Sequence, residues 1–324
     1  MAITVVIPAH NEGAVIGETL RTLLADGEAH RGAAVDACGK RVDESSPAQP
    51  FEVLIVCNGC TDDTAAVARE AAEGASARVR ILETPIASKT AALNLGLAEA
   101  RPGTVVCVDA DIRLSVGDLL RTAAAVAEGS GGGGGALAAS PRARMDLEGS
   151  SWPVQAYYRL WLALPYVRGD LMGAGVYALS QAGRERLGAL PAVIADDGYV
   201  RASFHPRERA RVESAVALVR APRTLRGLVR IKTRSRLGEY QLRSLFAGDL
   251  PGRGKKNSYA GAAAFLLKRP GLWACVPVYL YVNALTRARA RRQLASLAQY
   301  TWERDESSRA PLSPAPRPGA PARA

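Results

Sequence analysis

The chain begins as an alternation of short apolar runs and amphipathic stretches. Ile3 to Pro8 is a compact β-branched run, the pattern of a parallel strand covered on both faces. Glu12 to Ala25 follows with apolar residues at Val15, Ile16, Leu20, Leu23 and Leu24, the spacing of a helix with one buried stripe. Glu52 to Cys57 repeats the strand pattern, and Thr61 to Ala72 the helix, with Thr61 or Asp62 as its N-cap. Arg78 to Leu82 predicts a third strand, Lys89 to Ala100 a helix with Ala91, Leu93, Leu95 and Leu97 on its apolar positions, and Thr104 to Val108 a fourth strand. This alternation predicts a Rossmann-like α/β domain with a doubly wound, mainly parallel sheet flanked by helices. Ligands of such sheets bind beyond the carboxyl ends of the strands. Three of these strands end there in polar residues: Asn11 and Glu12, Asn58, and Asp109 with Asp111.

The remaining stretches interrupt the pattern. Gly27 to Pro50 is small, polar and unpatterned, which predicts a surface insertion. The run Gly131 to Gly135 lacks the following Gly-Lys-Ser/Thr of a phosphate loop and reads as a flexible connection. Trp152, Tyr157, Tyr158, Trp161 and Tyr166 form the densest aromatic stretch, suited to packing and, alternatively, to stacking on sugar rings. Leu266 to Leu285 is apolar but broken by Lys268, Arg269, Pro270 and Pro277; its clean part, from Leu272, is shorter than the roughly 20 residues a membrane span needs. Arg287, Arg289, Arg291 and Arg292 follow at once. Such a helix would rest on an anionic membrane surface, or pack on the main domain with a solvated basic end. After Glu303 the chain is rich in Pro, Ala and Ser, a composition that predicts disorder.

Charge narrows the partners. The 324 residues include 42 Lys and Arg against 31 Asp and Glu, a net charge of +11 that favours anionic ligands. Aromatics make up 6% and do not interleave with the basic runs as a stacking platform for bases requires, so nucleic acid is not expected as a partner. Five cysteines at irregular spacing imply no disulfide framework and a reducing compartment. The start, MAITVVIPAHNE, lacks the basic, long apolar pattern of a signal peptide, so a cytoplasmic location is expected.

Asp109-Ala110-Asp111 is the sharpest chemical signal. In an extended chain a spacing of two places both carboxylates on one side, where their repulsion favours a bound Mg²⁺ or Mn²⁺. Asp-x-Asp alone is common; its position after four α/β units gives it weight.

Four motifs in order carry a family resemblance. VVIPAHNE (Val5 to Glu12), VLIVCNGCTDDT (Val53 to Thr64), SKTAALNLGL (Ser88 to Leu97) and VVCVDADI (Val105 to Ile112) resemble successive motifs of the family 2 glycosyltransferases, whose catalytic domain has the GT-A fold. The resemblance covers about the first two-thirds of the chain. It implies a catalytic domain over 1–250, with a nucleotide-sugar half (1–115) and an acceptor half (140–250), then a helical extension (251–302) and the tail (303–324). It also implies that Pro8, Ala9, Asn11 and Glu12 line a nucleotide pocket and that Asn58 faces the base or ribose. Lys89 and Asn94 would lie close to the nucleotide, with Asp109 on ribose or metal and Asp111 the principal metal ligand. Ala195-Asp196-Asp197 falls where the family has Glu-Asp, which makes Asp197 the expected catalytic base and Asp196 its acceptor-side neighbour. Gly173 and Gly175, in GAGVYALS, resemble the segment beneath the acceptor. Arg230, Lys232, Arg234 and Arg236 fall loosely where relatives grip the diphosphate; Arg234 is taken as the candidate, and Gln241 follows.

Two departures stand out. Cys57-Asn58 replaces the usual Asp-Asp, which removes an ionised acceptor for the base edge and leaves the donor nucleotide open. Cys57-Asn58-Gly59-Cys60 also matches Cys-x-x-Cys, but no second Cys/His pair completes a zinc set. The expected reaction is inverting sugar transfer from a nucleotide-diphosphate sugar to an acceptor hydroxyl, with a lipid-linked or cell-envelope acceptor suiting the basic C-terminal region. The alternatives are a degenerate relative acting as a membrane-surface binding module, and a nucleotidyltransferase, whose Gly-rich first loop is replaced here by Pro-Ala-His-Asn-Glu.

Overall fold

The structure is a computed structural model that describes residues 2–25, 51–75, 77–127, 135–164, 167, 175–246, 250–252, 259–297, 300, 305 and 307–309. The expected insertion at Gly27 to Pro50 and the glycines at 131–134 lie outside the described residues.

Strands β1 (Ile3–Ala9), β2 (Phe51–Asn58), β3 (Arg78–Thr84) and β4 (Thr104–Val108) pair in parallel in the order β3-β2-β1-β4. Their side chains alternate between two cores, as a pleated strand requires. Val5, Ile7, Val53, Ile55, Val106 and Val108 enter one core, and Val6, Leu54, Val105 and Cys107 the other. Helices α1 (Gly13–Leu24), α2 (Thr64–Ala72) and α3 (Lys89–Glu99) connect them. Helix α1 buries Val15, Ile16, Leu20, Leu23 and Leu24, the stripe its spacing predicted.

The sheet is mixed rather than wholly parallel. Beyond β4 come β7 (Val176–Leu179), β6 (Ala138–Asp146), β8 (Arg209–Arg220) and β5 (Ile112–Leu114), completing the order β3-β2-β1-β4-β7-β6-β8-β5. β7 runs antiparallel to both β4 and β6, β6 and β8 are parallel, and β5 is antiparallel to β8. Helix α4 (Val116–Ala124) is capped by the Ser115 side chain. The second half adds α5 (Trp152–Ala163), α6 (Gln181–Leu187), α7 (Asp196–Ser203) and α8 (Leu225–Leu245).

The C-terminal region is helical, with α9 (Tyr259–Leu267), a 3₁₀ turn (Pro270–Cys275) and α10 (Val276–Ala295). It packs on α5 and α8 through the aromatic stretch: Tyr157 stacks on Tyr279 at 5.4 Å between ring centroids, and Lys232 Nζ lies 3.9 Å from the centre of the Trp161 ring. Packing is therefore the use of Tyr157, Tyr158 and Trp161, whereas Trp152 is exposed and Tyr166 lies outside the described residues. Among the described residues no helix is long and apolar enough to cross a membrane.

Candidate functional site

The chain leaves β4 at Val108 and turns at once, the Ile112 N–H donating to the Asp109 carbonyl at 3.1 Å. The extended-chain argument for two carboxylates on one side therefore fails, because a turn replaces the strand there. Asp109 and Asp111 meet different cations instead. Lys89, at the first position of α3, places Nζ 2.8 Å from Asp109 Oδ1 and 3.0 Å from Asp196 Oδ1. Asp111 Oδ2 lies 3.0 Å from Arg309 Nη2. Arg309 also makes a fork to Glu12, with Nε 2.9 Å from Oε2 and Nη2 3.0 Å from Oε1.

Lys89 opens α3 behind a Ser88 cap whose side chain accepts from the Ala91 N–H. Burial works against its charge, but Asp109, Asp196 and Asp197 outweigh burial and hold its pKa above the ordinary lysine value. Asp196 is 6% exposed, and burial raises its carboxyl above the usual range, with Lys89 opposing and Asp197 adding. Burial also raises Asp109, against Lys89, with Asp196 and Asp111 adding. At the acceptor-side pair, burial thus lifts the carboxyl of Asp196.

The two do not act as helix caps. Helix α7 starts at Asp196 with Ala195 in the cap position, and Asp197 accepts from the neighbouring Gly198 N–H at 2.7 Å. Asp197 is half-buried.

The approach to Asp196 is held from two sides. Asn94 donates to the Leu190 carbonyl (2.9 Å) and accepts from the Leu190 N–H (2.8 Å). Gln241 on α8 accepts from the Ile194 N–H at 2.8 Å, and Gly238 lets α8 approach so closely that a Cβ there would meet Ala195 Cβ at 2.7 Å.

Asn94 was expected beside the nucleotide; in the structure both ends of its amide hold the Leu190 backbone. Asn58, expected to face the base or ribose, is buried, and with its amide turned to satisfy both ends it donates to the Ala9 carbonyl (2.9 Å) and accepts from the Ser88 N–H (3.3 Å). A buried amide is stable only with such partners, so these bonds shape the loop after β2.

Pro8 and Ala9 are buried at the end of β1, forming the floor of the site. Asn11 follows with φ 51°, the one non-glycine among the described residues in the left-handed region, which asparagine tolerates best. Its Oδ1 accepts from the Thr61 N–H at 2.7 Å, while Glu12 N–H donates to Thr64 Oγ1 at 2.7 Å. Asp62, one of the expected caps, accepts instead from Gly13 and Thr64 N–H groups at 3.1 Å each. Against its partial burial, the Thr64 hydroxyl, which also donates to it, and these two bonds hold its carboxyl below the usual range. Cys57 and Cys60 are free thiols, and Cys60 Sγ donates to the Ala9 carbonyl at 3.3 Å, so they belong to this tight turn.

Gly175 sits under Asp109. Its carbonyl accepts from the Asp109 N–H at 2.7 Å, its φ is 69°, and a Cβ there would lie 2.8 Å from Asp109 Oδ2. Gly173 lies outside the described residues. Arg234 is on α8, half-buried. Of its basic neighbours, Arg236 bonds Asn283 on α10 and Lys232 faces the aromatic rings of α5.

Sequence reasoning missed Arg309 and Gln241 as site residues. Arg309 lies in the segment predicted to be disordered, yet Asp305 and Ser307–Arg309 are docked. The Ser307 hydroxyl accepts from the Arg223 N–H at 3.0 Å, and Arg220 donates to the Ser308 carbonyl at 3.3 Å. Nothing in a Pro/Ala/Ser-rich tail signals this. Gln241 could have been found as the polar residue following the basic run on α8.

Among the described residues, no three His, Cys, Asp or Glu side chains cluster closely enough to hold a metal alone. The site instead offers hard carboxylate oxygens singly or in pairs, beside Lys and Arg side chains able to meet phosphate oxygens.

The fold and this geometry define an α/β protein whose candidate site lies at the carboxyl edge of a four-stranded parallel half-sheet. Residues 4–170, more than half of the chain, match the model of Glycosyl transferase family 2, and the protein belongs to that family. No curated protein matches the chain. Its structure is similar to that of a mannosyltransferase from Pyrobaculum calidifontis in complex with GDP-Man and Mn²⁺, with TM-score 0.56 and 21% identity, over 91% of this chain and 79% of that one. A glucosyl-3-phosphoglycerate synthase from Mycobacterium tuberculosis, in complex with Mn²⁺, UDP-Glc and phosphoglyceric acid, matches with TM-score 0.47 and 22% identity, over 80% of this chain and 84% of that one. At these identities the first likeness concerns the fold, and the second is too distant to add to it.

Proposed function

We propose that this protein transfers a sugar from a nucleotide-diphosphate sugar to an acceptor hydroxyl with inversion, using Mg²⁺ or Mn²⁺ at Asp111 and Asp109. The observation that carries the reading is the Asp109–Lys89–Asp196 bridge, which ties the acidic turn after β4 to the start of α7 within 3.0 Å contacts. It brings a donor-side carboxylate and the acceptor-side pair to one point, as a direct displacement requires. The carboxylates suit the ion, because Mg²⁺ is held by one or two carboxylates together with substrate phosphates. When bound, the ion would stabilise charge on the departing diphosphate.

The remaining chemistry belongs to the chain. Lys89 fixes Asp196, and Asp196 leads directly into Asp197 on the first turn of α7. Asp197 takes the proton from the acceptor hydroxyl as its oxygen forms the new bond to the anomeric carbon and the bond to diphosphate breaks. One in-line displacement inverts that carbon, and no enzyme nucleophile enters the scheme.

Calorimetric titration with UDP, GDP and TDP, each with and without Mn²⁺, is the first test. Metal-dependent binding of one nucleotide, lost in Asp111→Ala, supports the site and selects the donor class. No binding at millimolar nucleotide would favour the degenerate binding module. Asp197→Asn should abolish transfer and leave nucleotide binding largely intact; unchanged turnover sinks the base assignment.

We further propose that the acceptor is lipid-linked and met at an anionic membrane surface. Helix α10 turns an apolar stripe outward, with Pro277, Leu280, Tyr281, Ala284 and Ala288 exposed at helical spacing, while Asn283 and Thr286 are buried. Leu267 and Trp273 extend the patch, and the Trp273 N–H is already satisfied by the Leu266 carbonyl. From 250 to 302 the chain holds nine Lys and Arg and no Asp or Glu, which repels a second copy of this face and attracts acidic head groups. Sedimentation with vesicles containing phosphatidylglycerol should pull down the wild type and release Leu280→Glu/Tyr281→Glu. Equal recovery on neutral vesicles, or none on either, refutes it.

A further inference from the structure

The structure assigns Arg309, in the C-terminal segment, to the donor site as a tethered cation that holds Asp111 until a metal ion takes its place. The assignment rests on the proposed metal role of Asp111 and adds a residue to it.

Three observations support it. The guanidinium is 13% exposed and bridges Glu12 and Asp111, two acidic residues just beyond the carboxyl ends of β1 and β4, with Nε on Glu12 and Nη2 meeting both. Two carboxylates drawn together repel unless a positive group lies between them, and here Arg309 supplies that charge. The contact is also built. Asp305 accepts from the Ser307 hydroxyl at 2.8 Å and the Ser308 N–H at 3.1 Å, folding the segment into a turn, and its carbonyl accepts from Arg309 Nη1 at 3.0 Å. Asp305 itself is buried against Gly227, where a Cβ would lie 2.3 Å from its carboxylate oxygen. The turn thus has a seat on α8 that only glycine leaves open.

The consequence is exchange. A divalent cation on Asp111 and the Arg309 guanidinium on the same carboxylate repel one another, so metal entry displaces Arg309 from Asp111. The fork to Glu12 keeps the displaced guanidinium at the mouth of the site, where its planar donors match diphosphate oxygens. Arg309 therefore weakens binding of metal alone and strengthens binding of metal with a nucleoside diphosphate. The site loads the pair in preference to the free ion.

Mn²⁺ binding to the full chain, read by the loss of the free-ion electron paramagnetic resonance signal, tests this without turnover. Arg309→Gln should bind Mn²⁺ alone about two- to fivefold more tightly than wild type, the range for a partly exposed ion pair. With Mn²⁺ saturating, the same variant should bind the nucleoside diphosphate selected above about tenfold more weakly. Arg309→Lys, which keeps the charge but loses the fork, should restore wild-type Mn²⁺ affinity more than nucleotide affinity. Equal Mn²⁺ affinity in wild type and Arg309→Gln overturns the role of Arg309 while leaving the metal site standing. Mn²⁺ binding that persists in Asp111→Ala overturns the metal role of Asp111, and this assignment with it. Gly227→Ala offers a second perturbation that leaves Arg309 in place: unseating the Asp305 turn should mimic Arg309→Gln, and wild-type Mn²⁺ affinity there speaks against a built contact.

Discussion

Replacing Lys89 by methionine would leave the volume of the side chain and remove the charge that two carboxylates share. In the native protein Nζ lies 2.8 Å from Asp109 and 3.0 Å from Asp196, and the exposures of the three side chains are 28%, 34% and 6%. Asp196 carries most of the penalty, because it is the member with almost no access to water. Removing one partner of a buried pair costs about 3–5 kcal/mol, mostly as the uncompensated charge left behind. The Asp109 side is a third exposed and adds only a few tenths, and the partial exposure of Lys89 places the total near the lower end, about 3 kcal/mol.

The decisive assay is a double-mutant cycle by urea unfolding with Lys89→Met, Asp196→Asn and both together. Asparagine keeps the shape of Asp196 without the charge, so the double variant should be less destabilised than the sum of the singles by about 2 kcal/mol. Additivity within about 0.5 kcal/mol would refute the reasoning, since it would mean that Lys89 and Asp196 do not interact in the folded state.

Three further outcomes follow from the same geometry. Gly175→Ala should lose about 1–2 kcal/mol of stability at its left-handed backbone and, by pushing Asp109, weaken Mn²⁺-nucleotide binding about tenfold; calorimetry on the two proteins checks it. Lys232, lowered to about 7 mainly by burial and secondarily by Arg236, is neutral in the fold above that pH, whereas the unfolded chain keeps the proton up to 10.5. Stability should therefore rise between pH 7 and about 10, by up to about 1.4 kcal/mol per pH unit, and Lys232→Met should remove that rise in urea titrations at pH 7, 8 and 9. The Cys57 thiol, pushed up to about 12 chiefly by burial, stays protonated, so iodoacetamide at pH 8 should label the half-exposed Cys60 in the native protein before it labels Cys57.

The parallel half of the sheet was legible because its strands are buried on both faces and so read as unbroken β-branched runs. The other half was not. β7 has four residues, β5 three, and β8 carries Arg209, Arg211, Arg220 and Glu213 among its valines and alanines, so none shows a period long enough to separate from a loop. The site followed the same division. Asp109, Asp111 and Lys89 stood out because each sits at the end of a legible element, and Asp196 through the family resemblance. Their pairings did not, because a contact such as Lys89 with Asp196 joins residues more than a hundred positions apart and leaves no periodic trace. The loop bonds of Asn58 and Asn94 were not legible for a further reason: an amide that satisfies a loop and an amide that reads a ligand are the same residue, and only the partners tell them apart. Arg309 marks the limit of composition. A tail poor in large apolar residues does not build a core, and that inference concerns what a segment can bury. Docking on an existing surface needs much less: one buried aspartate over a glycine, two serines and a guanidinium with two carboxylates to meet.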